Sequence, residues 1–258
     1  MGSIDGVELF INVAIPNKRT TKASPAVLFI HGGGFVSGNK NDKNKQLKKF
    51  AAKGYVAASA MYRFYPKYKF PSQLEDIKLA IRYLKANAEL LNLDPDNIIV
   101  VGSSAGSYLA VMAGVTGNSD AFSDYGLYSS YDSTVKAVIA QSPPIADFTR
   151  SKYKDSLTVK RLLNPKKDNA QANLKAMSPV TYLDSNDPPF FISHGDEDPI
   201  VPVDMSREFV AELKEIEHEF VYHEVKGGTH SLTKSAPKQA KMVFAESIKF
   251  IEKWSKVN

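Results

Sequence analysis

Ser104 stands in the pattern Gly102-x-Ser104-x-Gly106, after the apolar run Ile98-Ile99-Val100-Val101 and ahead of a helix-forming stretch that opens at Ala105. This spacing puts a serine at the tip of a strained strand-to-helix turn, with small residues where strand and helix cross closely. A serine hydroxyl becomes a nucleophile only when a base removes its proton, and the usual base is a histidine oriented by a carboxylate. His230, flanked by Gly228 and Ser231, is the candidate base. His31 reads as a brace for the adjacent glycines, His194 as a locally hydrogen-bonded residue before a turn, and His218 and His223 as structural or surface residues. Asp196, Glu197 and Asp198 are all in reach as the carboxylate. Asp198, just before Pro199, is the candidate, and Asp196 is expected to shape the turn. Attack on a carbonyl develops a negative oxygen, which preorganised backbone N–H groups stabilise. Gly33 and Gly34, within His31-Gly32-Gly33-Gly34-Phe35, and Ala105 at the helix start can supply three such donors. The alternatives are an ordinary Gly/Ser turn at 102–106 and a merely flexible loop at 32–34. Neither glycine stretch has a phosphate-cradling pattern.

These residues need elements to hold them. Residues 26–30 and 98–101 are continuous apolar runs, which marks strands buried on both faces. Further strands are expected at 7–15, 55–60, 135–140, 189–193 and 219–225. Helices are expected at 42–53, 73–88, from the Ser104 turn to about 115, at 203–216 and at 237–255, with a turn at 94–97. Strands alternating with helices at this spacing imply an α/β fold, a mostly parallel sheet with helices on both faces. In such sheets the active residues gather beyond the C-terminal ends of strands. The segments after Ile30, Val101, Ser193 and Val225 all sit there. Residues 147–184 break the rhythm and read as a small insertion over that face. The whole of 1–258 is expected to form one domain, and residues 117–133 an excursion whose tyrosines (Tyr125, Tyr128, Tyr131) are surface aromatics or a stacking platform.

The chain of 258 residues is 43% hydrophobic and 24% charged, as folded proteins are. It has no cysteine, which removes disulfides, thiolate metal sites and a cysteine nucleophile together. The net charge of +5 includes the lysines of 40–49, which read as a solvated face and not a nucleic-acid patch, since no aromatics are interleaved. No run is long enough to span a membrane. No signal peptide is visible, so a cytoplasmic protein, or a secreted one with its signal removed, is expected.

Taken together, His31-Gly32-Gly33-Gly34-Phe35, Gly102-Ser103-Ser104-Ala105-Gly106, His194-Gly195-x-x-Asp198-x-x-Val201-Pro202 and Gly228-Thr229-His230 resemble the α/β-hydrolase esterase/lipase family. Within it the chain is similar to the hormone-sensitive-lipase-like carboxylesterases and their acetylxylan and feruloyl esterase relatives. One departure is Met61-Tyr62-Arg63, where many relatives have Asp-Tyr-Arg. The resemblance implies an α/β-hydrolase fold, Ser104 as nucleophile, Asp198 and His230 as its partners, and an oxyanion hole from Gly33, Gly34 and Ala105. It also implies a carboxylic ester hydrolase that works through an acyl-enzyme with no metal or organic cofactor. The short cap and polar insertion point to short, acetyl-type acyl groups on a small-molecule or carbohydrate ester, including acetylated or feruloylated plant polysaccharide. A prolyl-oligopeptidase-like serine peptidase and a non-catalytic binding module are the alternatives. Nothing in the residues sets the oligomeric state.

Overall fold

The computed structural model describes residues 1–17, 21–119, 122, 126–163 and 169–255. The chain opens with a hairpin, β1 (Gly2–Ile4) and β2 (Val7–Leu9), then passes to β3 (Ile11–Ala14). The single strand expected at 7–15 is therefore two. The chain changes partner at the exposed Phe10, so that β2 pairs with β1 while β3 joins the main sheet. There follow β4 (Ser24–Ile30), α1 (Asn44–Ala52), β5 (Val56–Ala60), α2 (Ser72–Ala86) and α3 (Ala88–Leu91). Next come β6 (Leu93–Ser103), α4 (Ala105–Val115), β7 (Ala137–Gln141), α5 (Leu157–Leu162) and α6 (Ala170–Met177). The chain ends with β8 (Phe190–Gly195), α7 (Asp204–Glu215), β9 (Phe220–Val225), α8 (Leu232–Ser235) and α9 (Pro237–Ser255).

Among the described residues the main sheet has seven strands, in the order β3-β5-β4-β6-β7-β8-β9. Only β3 runs antiparallel; every other pairing is parallel. This is an α/β-hydrolase fold with a short antiparallel edge. The expected turn at 94–97 lies inside β6. Ser24 of β4 faces Leu93 and Ala26 faces Ile98, so β6 carries extra residues between those pairs. The turn chemistry is present, since Asp96 N donates to Asp94 Oδ1 at 3.1 Å, but it makes a bulge and not a chain reversal.

Alternation along the buried strands divides the core. Ala26, Leu28 and Ile30 pack with α2 and α4 on one face, whereas Val27 and Phe29 pack with α1 and α9 on the other. On the first face α4 lies very close to the sheet. A Cβ on Gly106 would fall 2.4 Å from the Ile30 carbonyl oxygen, which explains the glycine. The same face buries charge. Arg63 donates from its backbone N and from Nε to Asp76, at 2.7–3.0 Å, and its guanidinium also reaches Asp5, Glu75 and the Ser72 carbonyl. Every donor of a buried guanidinium needs such an acceptor, and a set this complete ties the loop after β5 to the first turns of α2. Among the described residues no helix is long and apolar enough to cross a membrane.

Candidate active site

Ser104 sits between β6 and α4 with φ 54° and ψ −123°. A non-glycine residue holds this conformation only when its surroundings over-determine it, at a cost of roughly 1–3 kcal/mol. Here Ser104 N donates to the Gln141 carbonyl at 2.8 Å, and the Ser104 carbonyl accepts from Ser107 N and Tyr108 N at the start of α4.

His230, in the loop between β9 and α8, has Nε2 at 2.9 Å from Ser104 Oγ and Nδ1 at 2.7 Å from Asp198 Oδ2. An ionised carboxylate only accepts, so Nδ1 carries the proton and Nε2 is free to accept from the serine hydroxyl. Asp198 lies beyond β8 with its side chain fully buried. Its Oδ1 accepts from Ile200 N and Val201 N at 2.8 and 3.0 Å. Burial alone would push this carboxyl up, but hydrogen bonds from His194, His230 and the two backbone amides outweigh it and hold Asp198 well below the usual carboxylate range.

His194 is the residue whose place the sequence concealed. It bonds locally, as expected, but one of its partners is Asp198 Oδ2 at 3.2 Å. The same Nε2 faces the Val201 carbonyl at 3.0 Å, so both partners are acceptors and Nε2 must carry the hydrogen. Nδ1 then accepts from Ser206 Oγ at 2.7 Å. Asp196 takes the turn role, accepting from Gly227 N at 2.6 Å. His218 lies between the carbonyls of Asp187 and Glu219, and His223 lies 2.8 Å from Glu246, both away from Ser104.

The glycine loop leaves β4 directly beside the serine: a Cβ on Gly32 would lie 3.4 Å from Ser104 Cβ. Gly33 and Gly34 have φ of 112° and 59°, which glycine adopts without penalty. His31 stacks on Tyr62, with ring centroids 4.4 Å apart, and its Nδ1 lies 2.7 Å from the Gly32 carbonyl. Burial lowers the His31 pKa. The Tyr62 hydroxyl donates to the carbonyls of His31 and Gly32. Support for the loop thus comes from Tyr62, next to the Arg63–Asp76 pair.

Ser104, His230, Gly33, Gly34 and Ala105 all line one cavity of about 1010 Å³. Among the described residues, no hydrogen bond engages the N–H groups of Gly33, Gly34 or Ala105. The cavity continues past Ser103, Gln141 and Ser193 to Phe29, Val101 and Ile139 of the sheet, under α9. Ser193 Oγ is buried there without a hydrogen-bond partner among the described residues. From 147–184, the side chains of Leu157, Thr158 and Arg161 reach the cavity wall, and Arg161 Nη1 donates to the Gly34 carbonyl at 2.7 Å. Behind that wall Val159, Leu162 and Met177 join the core, which is more burial than so polar a segment suggests. Tyr128 and Tyr131 do not line the cavity. Tyr128 donates to the Met1 carbonyl and packs on Tyr83, and Tyr125 lies outside the described residues.

The family model described as BD-FAE matches residues 11–213 of this chain. The chain is 31% identical over 226 residues to a probable carboxylic ester hydrolase, LipM, of Mycobacterium tuberculosis, covering 84% of this chain and 51% of LipM. It is 29% identical over 214 residues to endo-1,4-beta-xylanase B of Butyrivibrio fibrisolvens, covering 80% of this chain and 32% of that protein. The apo structure of esterase 2 from Thermogutta terrifontis superposes with a TM-score of 0.83 at 25% identity, covering 97% of this chain and 91% of that one, and the same esterase has a propionate-bound form. The chain spans about half the length of the mycobacterial esterases it matches.

Proposed function

Because the chain belongs to the BD-FAE family, on an α/β-hydrolase fold, we propose that it is a serine carboxylic ester hydrolase acting through an acyl-enzyme. The observation that carries this reading is the unbroken relay from Ser104 Oγ through His230 to Asp198. In the proposed mechanism His230 Nε2 takes the Ser104 proton as Oγ attacks the ester carbonyl, and Asp198 stabilises the imidazolium that forms. The carbonyl oxygen becomes negative and turns toward the N–H groups of Gly33, Gly34 and Ala105. Each such donor is worth roughly 3 kcal/mol to the transition state. His230 then gives its proton to the departing alcohol, and a water activated by the same histidine releases the acid. No step calls for a metal or organic cofactor.

A short, acetyl-type acyl group is the proposed substrate class, supported by the propionate-bound form of the Thermogutta terrifontis esterase. A cavity of about 1010 Å³ exceeds what a short acyl group fills, leaving room for a bulky alcohol such as a sugar ring. The match to a xylanase supports acetylated or feruloylated polysaccharide as the source of that alcohol. Of the insertion at 147–184, α5 serves as the cap, through Leu157, Thr158 and Arg161. Hydrolysis of p-nitrophenyl esters from acetate to decanoate, wild type beside Ser104→Ala, tests the reading. Activity should peak at the short chains and fall by ~10⁴-fold or more in the variant. A folded wild type without activity, or a variant with equal activity, would sink it.

A further inference from the structure

The charges around the cavity are one-sided. Lys43, Arg161 and Lys241 line it, and among the described residues no Asp or Glu does. Asp198 is close by but sits behind His230, with its oxygens engaged by four donors. Asp42, next to Lys43, accepts from Asn39 N instead of closing over the cavity.

Arg161 is the most telling of the three. Arg63, Arg150 and Arg207 each lie against carboxylates, as arginines in folded proteins usually do. Arg161 lies against none among the described residues. Its one hydrogen bond among the described residues is the 2.7 Å contact from Nη1 to the Gly34 carbonyl. That bond fixes the guanidinium beside the glycine loop and leaves the rest of its donor fork without an acceptor among the described residues. A guanidinium held in this way is matched to a planar carboxylate, which it can grip with two parallel hydrogen bonds. Lys43, between β4 and α1, adds positive potential, and its charge opposes protonation of His31. A single guanidinium with two partly solvated lysines suits one negative charge better than a dianion.

We propose that Arg161 forms an anion-binding subsite and that the preferred ester carries a free carboxylate on one of its arms. This rests on the esterase reading above and narrows its substrate class. The carboxylate can belong to the acyl arm, as in a dicarboxylic half-ester, or to the alcohol arm, as in an acylated hydroxy acid or uronate.

Two pairs of esters separate these sources. Mono-p-nitrophenyl glutarate against p-nitrophenyl pentanoate places the charge on the acyl arm; para-acetoxybenzoate against phenyl acetate places it on the alcohol. The readout is the ratio of kcat/KM, charged over neutral, for wild type, Arg161→Gln and Arg161→Lys. The ratio is the useful quantity because removing Arg161 also releases the Gly34 carbonyl, which lowers both members of a pair alike. In at least one pair the wild type should favour the charged ester by about tenfold, the size of a charge-assisted hydrogen bond. Arg161→Gln should bring that ratio near one, Arg161→Lys should keep part of it, and added salt should erode it. No preference in either pair, or a preference that survives Arg161→Gln, overturns the subsite. If no ester is hydrolysed, the esterase reading fails by itself. The subsite is then judged by calorimetric titration of Ser104→Ala with para-acetamidobenzoate against acetanilide. Tighter binding of the acid, lost on adding Arg161→Gln, upholds it; equal binding overturns it.

Discussion

On one face of the sheet α4 buries all eleven of its residues, Tyr108 among them, and large side chains such as Tyr62 and Phe148 are fully buried there too. On the other face α9 leaves Met242 and Phe244 about half exposed, and the cavity runs beneath its Val243, Ile248 and Ile251. The first face holds Ser104 in a strained backbone conformation and needs close packing to do so. The second is where the cavity opens the core, and it needs room. One residue is tied to both: Asp198 is gripped by the buried His194 and, toward the cavity, by His230.

The sharpest way to break this contrast is Gly106→Ala. The added methyl would lie 2.4 Å from the Ile30 carbonyl oxygen and 2.5 Å from that of His31. A destabilisation of roughly 1–3 kcal/mol in urea unfolding is expected. A neutral outcome would mean that the first face is not closely packed. Asp198→Asn probes the residue between the faces. The folded pKa of Asp198 lies below its unfolded value, so the ionised group contributes stability that is fully present above about pH 4 and is lost as pH falls below that. The gap in Tm between wild type and variant should therefore be flat from neutral pH to about pH 5 and narrow in acid. A gap that widened on acidification would reverse the assignment. The smallest effect is expected from Ile248→Trp, which fills part of the cavity. Stability should change by less than about 1 kcal/mol, while turnover of bulky esters falls more than that of acetate. If this variant were as destabilised as Gly106→Ala, the two faces would be packed alike.

What could be read from residues alone was whatever is local. The Ser104 turn, the glycine run and the His230 loop each carry their signal within a few residues, and α9 spans 237–255 as its apolar periodicity indicates. The splitting of 7–15 and the bulge in β6 depend on which strand lies alongside, and pairing partners leave no mark on the strand itself. His194 showed its turn but not that it shares Asp198 with His230, since that contact exists only once the β8 and β9 loops meet. Arg161 had no signal at all. It looks like a surface residue of a basic helix, and its meaning comes from Gly34, 127 positions earlier.

The position of β6 carries a consequence for how the molecule responds to heat. This strand is hydrogen-bonded to β4 on one side and β7 on the other, so Ser104, the proposed nucleophile, is anchored at the middle of the sheet. Its amides should exchange with deuterated solvent only when the whole sheet comes apart, whereas the amides of α5 and α6 can exchange through smaller openings. Heat inactivation that begins before the sheet melts would therefore start at the cavity wall around Arg161, with Ser104 still in place. Such early losses should be recoverable on cooling, because the sheet that positions the serine would never have been dismantled.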